Sequence, residues 1–234
     1  AGPEVFVAFA DHEPLADDEI EPLLRVLYTL RRFQPVQLER HAQPDAALLA
    51  DRDDSGPLRG ELFRLDGRAR RIAVEEAPPA EAERFELPRY YRCELEIGDP
   101  PRPAIVYTPI VPRTWTTGEP LDEPVTAMAT VLKFVPSDDP RGVPMLAAPR
   151  IAWHPDTPLG RLGMDVGLLD DVRQRTPLVA ADREAFYQLL AAVRRAPPGA
   201  LLAEAGDRPT SVIPLFNDPA AQVGRLVLLR GTTR

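Results

Sequence analysis

The stretch at residues 60–70 constrains the fold most, because it has a glycine inside a long strand pattern. Apolar and polar residues alternate over residues 58–75, and Gly67 lies in the middle. An interior strand glycine marks a bulge or a sharp bend. We therefore predict a long bent strand that serves two sides of a small closed β structure, with Leu62 and Leu65 as core contacts. These leucines lie an odd number of residues apart, so both strand faces are buried or a bulge separates them.

The same stretch recurs at residues 224–234. Gly, Leu, Leu, Gly and Arg coincide at five of eleven positions, at a shift of 164 residues. Internal repeats identify modular architectures. We predict one complete unit followed by the first strand of a second, with domains at residues 1–56, 57–160, 161–222 and 223–234. The strand at residues 223–229 is expected to pair within this chain or with a neighbouring copy, since unpaired strands expose backbone groups.

Five strand patterns separated by Pro- and Gly-rich loops form the middle of the chain. Helical patterns precede and follow them, so helices and strands do not alternate. The predicted strands are residues 58–75, 90–97, 104–110, 125–135 and 145–153, with a short additional strand at residues 5–9. This order predicts an α+β fold with a small five-stranded OB-like β-barrel and flanking helical segments. The alternative is a β-sandwich plus helices.

Apolar spacing predicts the helices. Residues 18–33 carry one stripe, Asp17 or Asp18 is the expected N-cap, and Pro22 lies in the first turn. Residues 182–195 carry another stripe, made of Phe186, Leu189, Leu190 and Val193. Shorter helices are expected at residues 45–49, 165–174 and 200–205.

Charge argues against polyanionic partners. The formal net charge is -8, and residues 1–56 hold five arginines against twelve acidic residues, a balance of -7. An acidic chain repels nucleic acids and anionic membranes at long range. No run of about 18 apolar residues predicts a membrane helix, and no signal peptide is recognisable.

An arginine-rich strand is the first candidate binding site. Arg64, Arg68 and Arg70 lie in the only basic stretch, and Tyr90 and Tyr91 are expected on a neighbouring strand. Cations and aromatic rings together would suit a single-stranded nucleic acid or an oligosaccharide on an OB-type face. The competing interpretation is a solvated face whose arginines pair with glutamates on neighbouring strands: Glu75, Glu76, Glu94 and Glu96. Trp115 is a candidate anchor for a partner or a lid on the barrel.

The sequence gives little support for a catalytic site or a metal site. His154 with Asp156, and Asp165 with Asp170 and Asp171, match no recognised metal motif. Cys93, the only cysteine, falls on the apolar side of a predicted strand, where thiols are usually inert. No nucleophile elbow, phosphate loop or dinucleotide fingerprint occurs. We predict no catalytic residues, no cofactor and no metal.

Three segments resemble a pattern found in uncharacterised, envelope-associated proteins of planctomycete bacteria. These segments are Tyr90 with Tyr91, residues 118–125, and Lys133 with Phe134. The similarity covers residues 58–153 and the second start at residues 224–234. Residues 130–132 depart from it, because Thr-Val-Leu stands where the pattern has aromatic residues. The resemblance implies repeated OB-like units and a cell-envelope or periplasmic location, with no activity attached.

The leading functional hypothesis is therefore a non-enzymatic structural or protein-interaction module, one unit of an array. Its partner would be another protein or a neighbouring repeat. The alternative is an OB-type binder of single-stranded nucleic acid or oligosaccharide. A hydrolase with an unfamiliar site is the third hypothesis.

Overall fold

The computed structural model describes residues 2–50, 58–173, 176–206 and 211–232. The chain divides into two compact units, Ala1–Ala152 and Trp153–Arg234. The predicted domain boundaries stay predictions. Part of the expected acidic linker (residues 51–56), the expected helix end at Gln174 and the terminal Arg234 of the repeat lie outside the described residues.

The predicted α+β class is confirmed. The strands are β1 Gln43–Pro44, β2 Leu62–Glu76, β3 Arg89–Ile97, β4 Arg102–Thr108, β5 Pro120–Val135, β6 Val143–Ala147 and β7 Ala152–Trp153. The α-helices are α1 Ile20–Leu30, α2 Pro35–His41, α3 Asp45–Leu49, α4 Pro79–Phe85, α5 Pro158–Arg161, α6 Arg183–Arg195, α7 Ala200–Ala205 and α8 Ile213–Asn217. Short 3-10 helices are Pro3–Ala8, Asp17–Glu19, Val166–Asp171, Ala180–Asp182 and Ala220–Gln222.

The described strands form one mixed sheet in the order β1-β2-β3-β4-β6-β5-β7. Strands β2 and β5 also pair with each other, which closes β2, β3, β4, β6 and β5 into a five-strand hydrogen-bonded ring. The β4–β6 pair is parallel, and the other ring pairs are antiparallel. One continuous sheet differs from the alternative β-sandwich, which needs two packed sheets.

Strand β2 serves two neighbours, as its pattern predicts. Its first part pairs with β5, its last part pairs with β3, and Gly67 is paired with both Ile97 and Val125. A Cβ atom at Gly67 would lie 2.0 Å from the carbonyl oxygen of Glu96. The glycine is therefore required by the close approach of two backbones.

The bulge in β2 lies at Arg70, three residues after Gly67, where a bulge or a sharp bend was expected. Register shifts between Ala69 and Arg71 on both neighbouring strands. The extra residue lets Ala69 and Ile72 both be buried although they are an odd number apart. Leu65 is buried on the same side, whereas Leu62 packs at the edge of the cluster on the other side of the sheet.

Helix α1 covers part of the outer side of the ring. Its buried residues pack in one cluster with residues of β3, β4, β5 and β6. Members on the strands include Tyr90, Tyr107, Leu132 and Met145. The inward-facing side chains of β3, which are Cys93, Leu95 and Ile97, are buried on the opposite side. In the first unit, the sheet therefore has apolar side chains on both sides in the region that helix α1 covers.

The predicted strand at residues 5–9 is wrong, since Pro3–Ala8 is a 3-10 helix. A proline near the start suits a helical turn. Helical spacing buries Val5 and Phe9 while Val7 is 80% exposed, whereas a strand would place all three on one face. A five-residue apolar run does not distinguish these two cases by periodicity.

The remaining helices and strands agree in part with those predicted from the sequence. Helices α1, α3, α6 and α7 lie where predicted, and the 3-10 helix Val166–Asp171 lies within the helix expected from residue 165. Helices α2, α4 and α8 were not predicted. Strand β5 already begins at Pro120, and the predicted fifth strand is divided into β6 and β7.

The second unit has a small core of its own. Leu159, Met164 and Ala192 are buried together, and Leu162 and Leu189 pack against them. Asp165 accepts hydrogen bonds from the backbone N–H of Gly167 at 3.0 Å and of Trp153 at 2.9 Å. The expected strand at residues 223–229 is wrong, because the described residues 211–232 contain no strand. Val223 and Leu229 are exposed, which counts against a second strand start that folds by itself.

Candidate functional site

Three of the four arginines of β2 are held by carboxylates: Arg64, Arg68 and Arg70. Arg64 donates to Asp66 at 2.8 and 3.1 Å. Arg68 donates to Asp122 at 2.5 Å. Arg70 donates to Glu96 at 2.9 and 2.6 Å and also contacts Asp122. Only one of the four expected glutamate partners, Glu96, contacts these arginines in the described hydrogen bonds.

These ion pairs set the local electrostatics. The hydrogen bond from Arg68 is the largest cause of the lowered pKa of Asp122. The hydrogen bond to Asp66 raises the pKa of Arg64, and the one to Asp122 raises the pKa of Arg68. Exposed pairs of this kind contribute little stability. They do offset the positive charge that a phosphate backbone would need.

The two tyrosines lie on β3, as predicted, but away from most of the arginines. Tyr90 is paired with Glu75 and Tyr91 with Val74, whereas Arg68 is opposite Glu96 near the other end of β3. Six residues of strand separate the two places, or roughly 20 Å at about 3.3 Å per residue. The structure therefore does not bring Arg68 and the tyrosines together in one site.

Tyr90 is also buried. Its ring packs against Tyr107 with centroids 5.9 Å apart, and only 3% of the residue is exposed. Burial is the main reason why the pKa of Tyr90 is raised to about 12. Tyr91 is half-buried, and Trp115 is buried. A stacking platform needs exposed ring faces, which Tyr90 and Trp115 do not offer.

The other candidates for catalysis or metal binding, Cys93 and His154, lie in surroundings that are typical of structural residues. Burial raises the pKa of Cys93 above its usual range, so the thiol stays protonated. His154 Nδ1 lies 3.0 Å from the carbonyl oxygen of Met164. Among the described residues, no group of three or more His, Cys, Asp or Glu side chains is arranged to hold a metal ion. In the same part of the chain, no helix has the length and apolar character to cross a membrane.

A buried ion pair that sequence reasoning missed joins the N-terminal segment to the ring. Lys133 on β5 contacts the carboxylate of Glu19 and donates to the carbonyl oxygen of Pro14 at 3.0 Å. The Glu19 carboxylate also accepts the backbone N–H groups of Ala10 at 2.8 Å and Ala16 at 2.9 Å. The N-cap position of α1 is Glu19 and not the expected Asp17 or Asp18, and its side chain makes no capping hydrogen bond to that helix. The available signal was the only lysine of the chain, set between apolar residues.

In the second unit, the side of helix α6 that is buried differs from the side predicted from the sequence. The predicted stripe was assumed to be buried, but Phe186, Leu190 and Val193 are 43%, 49% and 46% exposed. Ala185 and Ala192 are buried instead. The neighbouring Tyr187, Leu178 and Val179 are also exposed. We call Phe186, Tyr187, Leu190 and Val193 the α6 face.

Comparison with known proteins gives no relative from which a role is transferable. The chain matches no family model, no curated protein and no solved structure.

Proposed function

We propose that this chain is a non-enzymatic structural module that acts by protein contact, as one unit of a repeated array. The partner is a neighbouring copy of the same unit. The module is built on an OB-like barrel. The exposed apolar α6 face carries the proposal.

The ring supports the OB-like assignment. In chain order its strands are β2, β3, β4, β5 and β6, and they are hydrogen-bonded in the closed order β2-β3-β4-β6-β5. A five-stranded Greek-key ring with a long, bent first strand is what an OB-fold requires. Strand β2, with Gly67 at the switch between its two partners, meets that requirement.

The α6 face supports protein contact. Helix α6 already uses one side, through Ala192 and Leu189, to cover the small core of its unit. Three large apolar side chains on the other side remain 43–49% exposed. A helix that is apolar on two sides normally has two packed neighbours, and exposed apolar patches mark interaction sites.

Charge favours a copy of the same unit as the occupant. Arg183 and Arg194 are exposed and flank the apolar side chains at helical spacing. The first 56 residues of this chain, and so of a second copy of it, carry a net charge of -7. Opposite charges on two surfaces steer and orient their association. The sequence similarity at a shift of 164 residues also supports an array.

The alternative, a binder of single strands or oligosaccharides, has less support. In an OB-fold, such ligands bind on the second and third strands, which are β3 and β4 here. The outward-facing Tyr90 and Tyr107 of these strands pack in the cluster that includes α1. Arg64, Arg68 and Arg70 of β2 are already paired with carboxylates.

Sedimentation of the full chain at increasing concentration tests the proposal. We expect reversible association that is lost in the double variant Phe186→Ser with Leu190→Ser. The matched control is Leu202→Ser, which removes an apolar side chain of α7 that is 63% exposed. This variant should associate like the natural chain. A chain that stays monomeric at every concentration overturns the proposal. Salt-sensitive binding to a single-stranded oligonucleotide would support the alternative instead.

A further inference from the structure

A cleft in the first unit opens beside the loop between β5 and β6. Its volume is about 520 Å³, within the usual range of roughly 300–1,000 Å³ for small-molecule sites. This loop is one of those that carry ligands in OB-folds. The cleft is independent of the α6 face, and only the comparison with OB-fold loops rests on the proposed function.

Two guanidinium groups meet in this cleft. Arg102 at the start of β4 and Arg141 in the loop each direct Nη1 toward the carbonyl oxygen of Leu49, at 3.4 Å in both cases. A shared acceptor brings the two cations close together. Both hydrogen bonds are long, so a better acceptor would replace this carbonyl readily.

Arg141 is paired with a carboxylate of the cleft. Asp139 accepts from Arg141 Nε at 3.0 Å and from Nη2 at 2.7 Å. Within the described residues, the hydrogen bonds of Arg102 reach no carboxylate. Asp11, the other acid of the cleft, is paired with Arg59 at 2.5 Å and accepts the backbone N–H of Phe134 at 2.9 Å. Among the described residues, Arg102 therefore has no hydrogen bond to a carboxylate, although its charge acts on nearby Asp139.

The rest of the wall is largely apolar. Leu48, Leu58, Pro103, Phe134 and Pro144 line the cleft together with the charged groups. Ala50 and Leu58 adjoin residues 51–57, which lie outside the described residues. A concave apolar surface with a few convergent polar groups is the usual form of a ligand site.

We propose that this cleft binds a carboxylate carried on an apolar body, with Arg102 as its main ionic partner. The planar guanidinium group forms paired hydrogen bonds with a carboxylate. The leucine, proline and phenylalanine side chains receive the apolar part. The carboxylate belongs either to a small organic acid or to the C terminus of a peptide.

Calorimetric titration of the full chain with hexanoate, and with hexanamide as the neutral control, tests the proposal. Hexanoate should bind and hexanamide should not. A hydrophobic tripeptide with a free C terminus, compared with its amidated form, identifies the source of the carboxylate. Binding of only the free tripeptide assigns a peptide terminus, and binding of only hexanoate assigns a small acid.

Variants locate the site. Arg102→Gln should weaken binding roughly tenfold to a hundredfold, the value of a charge-assisted hydrogen bond. Asp139→Asn should tighten it severalfold, because it removes the competing carboxylate, and a folding defect would not produce this gain. Arg68→Gln, in the ion pairs of β2, should leave binding unchanged. Failure of both carboxylates to bind, equal binding of the neutral controls, or an unchanged affinity in both Arg102→Gln and Asp139→Asn overturns the proposal.

Discussion

The ammonium group of Lys133 and the carboxylate of Glu19 form a buried ion pair between residues 114 positions apart in the chain. Lys133 is fully buried, and Glu19 is 3% exposed. The same carboxylate binds the N–H groups of Ala10 and Ala16. Lys133 thus attaches residues 10–19 to β5, together with the hydrogen bonds of Asp11 and His12 to the backbone of Phe134. The following helix α1 is held where it covers the ring.

Lys133→Met is expected to lower the free energy of unfolding by about 3–5 kcal/mol, since it leaves a buried carboxylate without its cation. Urea denaturation measures this change. The double variant with Glu19→Leu should recover part of the loss, because replacing both charges removes the uncompensated one.

The matched control is Arg25→Met, which removes a cation from the exposed pair with Glu21 on α1. It should cost less than about 1 kcal/mol. Equal losses for Lys133→Met and Arg25→Met would show that burial adds nothing to the Lys133–Glu19 pair.

Strand patterns in the ring were predictable from sequence because alternation reports burial directly. The alternation along β3 places Tyr91, Cys93, Leu95 and Ile97 on one face. The last three are buried there and Tyr91 is half-buried. The bulge at Arg70 was not predictable, since a bulge is defined by register with β3 and β5, and a single sequence contains no register. Gly67 was recognised as special, but a close approach to Glu96 rather than a bulge explains it.

The side of a helix that packs was harder to predict than the helix itself. The spacing of Phe186, Leu190 and Val193 identified α6, yet the second unit buries Ala185 and Ala192. Small side chains allow close packing in a small core and leave larger ones outside. The ion-pair partner of Arg68 was also not predictable from the sequence, because this partner, Asp122, is 54 residues away along the chain.

Gly67→Ala is expected to destabilise the first unit by about 1–3 kcal/mol, the usual cost of overpacking. The new methyl group would lie 2.0 Å from the Glu96 carbonyl oxygen, and backbone cannot move aside as a side chain can. Thermal and urea unfolding measure the loss. Gly231→Ala is the control, since nothing lies within 4 Å of its added carbon and its stability should be unchanged. A stable Gly67→Ala variant would contradict the close approach of β2 and β3.

The thiol of Cys93 should not react in the folded protein. It is fully buried on β3, and burial raises its pKa, so the reactive thiolate is scarce at neutral and mildly alkaline pH. We expect a disulfide reagent at pH 8 to label the protein only in denaturant. Because Cys93 is the only cysteine, the labelled fraction reports unfolding of this unit. Rapid labelling without denaturant would contradict its placement in the core.

Asp139 is expected to titrate at unusually low pH. The side-chain hydrogen bond from Arg141, followed by the one from its backbone, lowers the pKa of Asp139 to about 2. Because the folded-state pKa lies below the ordinary value of about 3.9, the resulting stabilisation is complete above about pH 4 and is lost as the pH falls through 2. Carbon-detected NMR of the carboxyl group measures the midpoint. Arg141→Gln should return it toward about 3.9, whereas Arg84→Gln, a substitution on α4, should leave it near 2. A midpoint that stays low without Arg141 would assign the effect to Arg102, and would show that the charge of Arg102 is already used by Asp139.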